Sequence, residues 1–189
     1  MKKKTYCLGL LILFSGFIAM SAFGIMVEYS LKKLTMESTD IVSGKVTGKV
    51  CHWNEAKTQI VTDVTVKIDK AVKGQSKDSI IVQYPGGSIT NSDGTGIGMG
   101  RSDTPEFSVD EEVFLFLAKD QKSGLFKVTA DFQGKFKLVT DKASGKKMVE
   151  SGAKVLVSPE TMKARDVQAY KVPLDDLIAR INNFMDYQK

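Results

Sequence analysis

The sequence predicts a mainly β protein: a small OB-like antiparallel barrel of about six strands, with a short N-terminal helix and a C-terminal amphipathic helix. Three observations predict it. Apolar residues alternate with polar ones through Val42, Gly44, Val46, Gly48 and Val50, and again through Ile60, Thr62, Val64, Val66 and Ile68, the two-residue period of half-buried strands. Turn-forming clusters punctuate the chain at Asn54–Lys57, Lys73-Gly74, Pro85-Gly86-Gly87 and Lys119–Gly124, as hairpins require. The period changes to that of a helix only near the two ends of this region.

Taken in order, Ser30–Ser38 (SLKKLTMES) reads as a short helix capped by Ser30, with Leu31 and Leu34 on its apolar edge. The strand that follows has two inward glycines, Gly44 and Gly48, which permit the sharp bending of barrel strands. A second strand runs to Lys73-Gly74 and a third covers Ser79–Tyr84. Asn91–Gly100 reads as a mobile, glycine-rich connection. The fourth strand, Val113–Leu117, is apolar on both faces, as expected of a strand covered on both sides. Leu125–Phe132 and Lys135–Val139 supply two more, flanking Gln133-Gly134, and a weak pair is expected near Met148–Val149 and Lys154–Val157. Ser158–Lys171 is polar and without clear periodicity. Leu174, Leu177, Ile178, Ile181 and Phe184 then recur at helical spacing behind Pro173, with Asp175 and Asp176 in the first turn.

Charge and cysteine content must be read together with the N-terminus. The 189 residues carry a net charge of +5, which on its face suggests an anionic partner. Lys2, Lys3 and Lys4 precede an uncharged stretch from Thr5 to Val27, with small residues at Ala22 and Gly24. This is the pattern of a signal peptide over residues 1–24, with an uncleaved membrane helix as the alternative. Cleavage after Gly24 leaves 24 basic against 22 acidic residues, a net of +2. The lysines are scattered rather than gathered into the basic footprint of a nucleic-acid binder. Nucleic acid is therefore not an expected partner, nor is a membrane after cleavage. The expected location is the periplasm or the extracellular space. Cys7 leaves with the leader, so the mature chain holds Cys51 alone and forms no internal disulfide. The expected domains are the leader, an OB-like barrel over residues 25–157, and a connector with the C-terminal helix over 158–189.

Few residues suggest chemistry. Cys51 and His52 are adjacent, and neighbours on a strand face opposite ways, so a Cys–His pair is disfavoured. Cys51 falls on the polar face of the pattern and His52 continues the inward set. One Cys and one His are too few for structural zinc. Asn91-Ser92-Asp93-Gly94 opens like a calcium loop but lacks the later acidic ligands. Asp110-Glu111-Glu112 reads as a solvated turn rather than an acid–base pair. Phe132-Gln133-Gly134-Lys135-Phe136 resembles a base-stacking pattern without the accompanying basic stripe. No cofactor, metal or catalytic residue is expected. Exposed loops on a rigid barrel are where binding residues sit. The candidate binding elements are therefore Trp53, the turn formed by Tyr84, Gly86 and Gly87, and the alternating run Gly94, Gly96, Ile97, Gly98 and Met99.

The segments SLKKLTMESTDIVSGKVTGKV, WNEAKTQIVTDVTVKIDKAVKG, VQYPGG, GIGM, PEFSVDEEVFLFL and QGKFKL, in that order over Ser30–Val139, resemble an uncharacterised family of secreted bacterial proteins. That family is similar in plan to netrin-like modules and tissue inhibitors of metalloproteinases. The resemblance implies an OB-type barrel and export. Those inhibitors chelate a catalytic zinc through an N-terminal Cys, and no Cys lies near Ile25, so that mechanism does not carry over. The expected function is a non-catalytic exported barrel that binds an envelope or secreted protein. The alternatives are a peptidase-inhibitor-like module acting through the Gly94–Gly100 loop, a hydrolase or thiol enzyme using Cys51, and an envelope component linked through that thiol.

Overall fold

The computed structural model describes residues 27–75, 78–101, 103–151, 154–157, 164–167 and 170–187. The proposed leader over residues 1–24 lies outside the described residues. Helix α1 (Leu31–Glu37) begins where Ser30 caps it, its hydroxyl accepting from the Lys33 amide at 3.2 Å. It ends at Ser38, whose hydroxyl returns to the Leu34 carbonyl at 2.7 Å and meets the Thr129 hydroxyl at 2.9 Å. Lys73 donates to the Thr35 carbonyl at 2.7 Å, tying the last turn of α1 to the barrel. Burial among these groups pushes the Lys73 amine below its ordinary range.

Strands β1 (Asp40–Trp53), β2 (Ile60–Lys73) and β3 (Ser79–Pro85) form an antiparallel meander. A short hairpin, β4 (Gly87–Thr90) and β5 (Gly96–Met99), interrupts the chain before β6 (Glu112–Lys119) and β7 (Phe126–Val128). β3 meets β7 in parallel at Val82 and Phe126, β7 pairs with β6, and β6 pairs back onto β1. The order β1-β2-β3-β7-β6-β1 closes an OB-like barrel of five strands, one fewer than the alternation suggests. The strands expected beyond the fifth build a side sheet instead. β8 (Lys135–Thr140) shares the edge of β6 with β7, and β9 (Lys147–Ser151) and β12 (Tyr170–Pro173) extend it.

β6 explains this division. Val113, Leu115 and Leu117 point into the barrel with Val42, Val46, Val64, Val66 and Val82, all fully buried. Phe114 and Phe116 point the other way, into a second core with Ile41, Leu34 and Val149. Helix α2 (Leu174–Asp186) closes that core with Leu177, Ile178 and Ile181. The doubly apolar run is thus a wall shared by two cores, and the C-terminal stripe packs on the fold.

Three segments differ from their expected form. The β1 alternation breaks at a bulge: Val46 faces Val66 but Gly48 faces Thr65, leaving Thr47 unpaired. One inserted residue reverses every later side chain. Val50, expected inside, is therefore exposed, and Cys51 turns inward. Leu125–Phe132 yields only the three residues of β7. Ala130 and Asp131 then take left-handed backbone angles into a 3₁₀ turn, Asp131–Gly134. Lys154–Val157 (β10) pairs not with β9 but with β11 (Ala164–Val167), a separate ribbon whose second strand lies within the stretch that reads as a polar connector. Among the described residues no helix is long and apolar enough to cross a membrane.

Candidate functional site at the barrel mouth

The end of the barrel where β1 leaves and β2 enters carries most of the candidate residues. Trp53 pairs across with Ile60 in the β1–β2 ladder. The Ile60 amide donates to the Met99 thioether at 3.3 Å, and its carbonyl accepts from the Gly86 amide at 2.8 Å. Trp53, Ile60, Gly86 and Met99 thus share one rim. Gly86 and Gly87, with φ of 105° and 132°, turn the chain sharply from β3 into β4, a conformation that disfavours any other residue. A Cβ on Gly87 would also meet the Thr62 hydroxyl at 2.5 Å and Cys51 Sγ at 2.7 Å.

The run Gly94–Met99, expected as a mobile connection, is instead the second half of the β4–β5 hairpin. Ile89 faces Ile97 and Gly87 faces Met99. The Asp93 carboxylate accepts from the Thr95 amide at 2.9 Å and from its hydroxyl at 2.5 Å, fixing the turn. These bonds hold the Asp93 carboxyl below the usual carboxylate range. Arg101 clamps Asp103 with two nitrogens at 2.9 and 2.5 Å, securing the exit. Ile97 and Met99 stand on one hairpin face and remain 37% and 41% exposed, and Trp53 is 36% exposed.

Tyr84 is placed differently. Its ring is buried and stacks on Phe107, with centroids 5.9 Å apart and planes 22° apart. It fills the barrel rather than facing solvent. Thr62, also buried, donates to the Gly86 carbonyl at 2.6 Å. With that proton committed, Cys51 donates its thiol hydrogen to the Thr62 oxygen at 3.3 Å.

His52 lies on the opposite, outer face, contrary to its expected inward position, because of the bulge at Thr47. Its Nδ1 donates to the Trp53 carbonyl at 2.8 Å and its Nε2 meets the Asp63 carboxylate at 3.0 Å, which also accepts from Gln83 at 2.8 Å. Cys51 and His52 are thus engaged with different partners on different faces. Two acceptors suit an imidazolium, so the Trp53 carbonyl and then Asp63 raise the His52 pKa above 6.5. A proton held more tightly in the folded state stabilises it. That contribution is complete below the unfolded value of 6.5 and disappears as pH rises through the folded value. We expect NMR titration to place His52 above 6.5 and Asp63→Asn to lower it; an unshifted histidine would refute the arrangement.

The acidic run resolves into separate ion pairs, which composition alone does not signal. Asp110 binds Lys45 at 2.7 Å, Glu111 binds Lys135 at 2.7 Å, and Glu112 binds Lys147. They line a shallow surface groove of about 520 Å³ between β1, the segment before β6, and β8. Each carboxylate there already has a cation. Among the described residues no cluster of three or more His, Cys, Asp or Glu has the geometry of a metal site.

Fold and mouth together define a closed OB-like barrel with a solid interior, carrying an apolar hairpin on one rim. Searches with this sequence found no matching family model and no matching curated protein.

Proposed function

We propose that the protein is an exported, non-catalytic barrel that binds another envelope or secreted protein through its mouth. The observation that carries this reading is the exposure around one rim of Trp53, at the end of β1, and of Ile97 and Met99, on a hairpin pinned at its turn and its exit. Exposed apolar groups gathered on one surface mark interaction sites, and aromatic and Met side chains are enriched in interfaces. The barrel interior supports an external rather than an enclosed ligand. Val46, Val64, Val66, Val82, Val113, Leu115 and Leu117 leave no exposed surface inside it. The lysines are scattered along the chain rather than gathered into one basic stripe, which favours a protein partner over a polyanion. The lysines before the apolar stretch of residues 5–27 support export.

Ile97→Asp tests the reading. It places a charge on the rim without touching either core, so folding should change by less than about 0.5 kcal/mol. Partner recovery from the envelope or secreted fraction should fall at least about tenfold, the equivalent of 1.4 kcal/mol. Undiminished recovery of the same partner would overturn the assignment of the surface. No partner in either fraction would overturn the reading itself.

A further inference from the structure

The β4–β5 hairpin has a further property, which lies in its backbone. The Asn91 amide donates to the Thr95 carbonyl at 2.8 Å, and the ladder continues through Ile89–Ile97 to Gly87–Met99. Hydrogen-bonded pairs alternate along an antiparallel ladder. The Thr95 carbonyl, and the amides and carbonyls of Ile97 and Met99, are therefore directed toward β4, while Gly96 and Gly98 direct theirs outward. Among the described residues β5 pairs with β4 alone, so this second edge is open. All four β5 residues are exposed, and a Cβ at Gly96 or Gly98 would meet nothing within 4 Å.

An open edge is ordinarily guarded by lysine, proline or a bulge. The outer strand of the side sheet follows that rule: β12 carries Lys171, paired with Glu150 at 2.9 Å, and ends in Pro173. β5 carries no such guard, reading Gly-Ile-Gly-Met.

We infer that the β5 edge is a strand-addition site, which takes an extended, uncharged polypeptide segment with apolar side chains at alternate positions. This deepens, and rests on, the reading of the mouth as a protein-binding surface. The outward donors and acceptors of Gly96 and Gly98 are the complement of another strand's backbone. Residues of the added strand beside Ile97 and Met99 extend the apolar row. Their neighbours face the side lacking Cβ atoms, which accommodates bulk. The dimensions favour a short segment over a second copy of the chain. A stable dimer needs roughly 20–30 residues per partner, whereas the edge offers four residues and the rim side chains of Trp53 and Ile89.

The test uses the protein recovered from cells expressing the full chain, with the capped peptide Val-Thr-Val-Thr-Val-Thr as probe. Amide hydrogen exchange should slow at Gly96 and Gly98 as the peptide binds. Gly98→Pro removes an outward donor while sparing the bonds to β4, and should weaken binding about tenfold, the equivalent of one or two hydrogen bonds. N-methylation of alternate peptide residues, tested on the unaltered protein, should weaken it at least as much in one of its two registers. This control holds even if the proline variant misfolds. No binding, or binding that leaves Gly96 and Gly98 exchange unchanged and tolerates N-methylation, would overturn strand addition. Partner recovery lost in Ile97→Asp would in either case leave the protein-binding reading standing, which separates the two failures.

Discussion

Phe116→Ala should destabilise the protein by about 3–5 kcal/mol, the usual cost of deleting a buried phenyl ring. Phe116 is fully buried, with edge-on contacts to Phe114 and Phe136 at centroid separations of 5.6 and 5.8 Å. It stands on the outer face of β6, whose inner face fills the barrel with Leu115 and Leu117. A void there strips contacts from α1, α2 and the side sheet while leaving the barrel lining in place. Phe116→Leu retains most of the volume and should cost less than about 1.5 kcal/mol. Urea unfolding checks both: the midpoint should fall at an unchanged slope. If the alanine variant lost less than about 1 kcal/mol, well short of the expected range, the second core would not be part of one cooperative fold.

Glu111→Ala should cost nearly as much, about 2–4 kcal/mol, because it strands Lys135. The two side chains retain 12% and 14% exposure and meet at 2.7 Å, so the full cost of an orphaned buried charge is discounted for solvent. Glu111 also accepts from the Ser108 amide at 3.2 Å, and the Lys135 amine lies 4.9 Å from the centre of the Phe107 ring. The pair therefore fixes the segment that delivers Phe107 onto Tyr84. Glu111→Leu combined with Lys135→Met should cost less than the sum of the single changes. Strict additivity in a double-mutant cycle would show the two groups to be uncoupled.

The period-two pattern revealed the barrel strands because their burial is one-sided, and β6 was legible as a shared wall because both its faces are apolar. The bulge at Thr47 was not legible: it depends on how β1 pairs with β2, which no local pattern of Ser43–Val50 encodes. From it follow the exposed Val50, the outward His52 and the inward Cys51. At the mouth, Trp53, Ile97 and Met99 are exposed, but Ile97 and Met99 stand on a paired strand rather than on the loop that the glycine placement suggests. The aromatic ring of Tyr84 was drawn inward by Phe107, a partner 23 positions away. Ile89 opposite Ile97, flanking Asn91-Ser92-Asp93-Gly94, was the available hairpin signal, and the glycine alternation masked it by suggesting mobility. The lysines that neutralise Asp110, Glu111 and Glu112 come from β1, β8 and β9, so only the tertiary fold brings them together. Helix α2 was readable because its stripe of Leu177, Ile178 and Ile181 has one face to bury.

On the proposed reading, the hairpin-bearing mouth, rather than the barrel's flank, meets the partner. Site-specific photo-crosslinking in intact cells tests it most directly, with the photoreactive residue at position 97 on the hairpin or at position 81. Ile81 is as exposed as Ile97, at 42% against 37%, but lies on the outer wall of β3. Docking at the mouth yields a discrete adduct from position 97 and none from position 81. Equal adducts from both positions, or an adduct from position 81 alone, would contradict it.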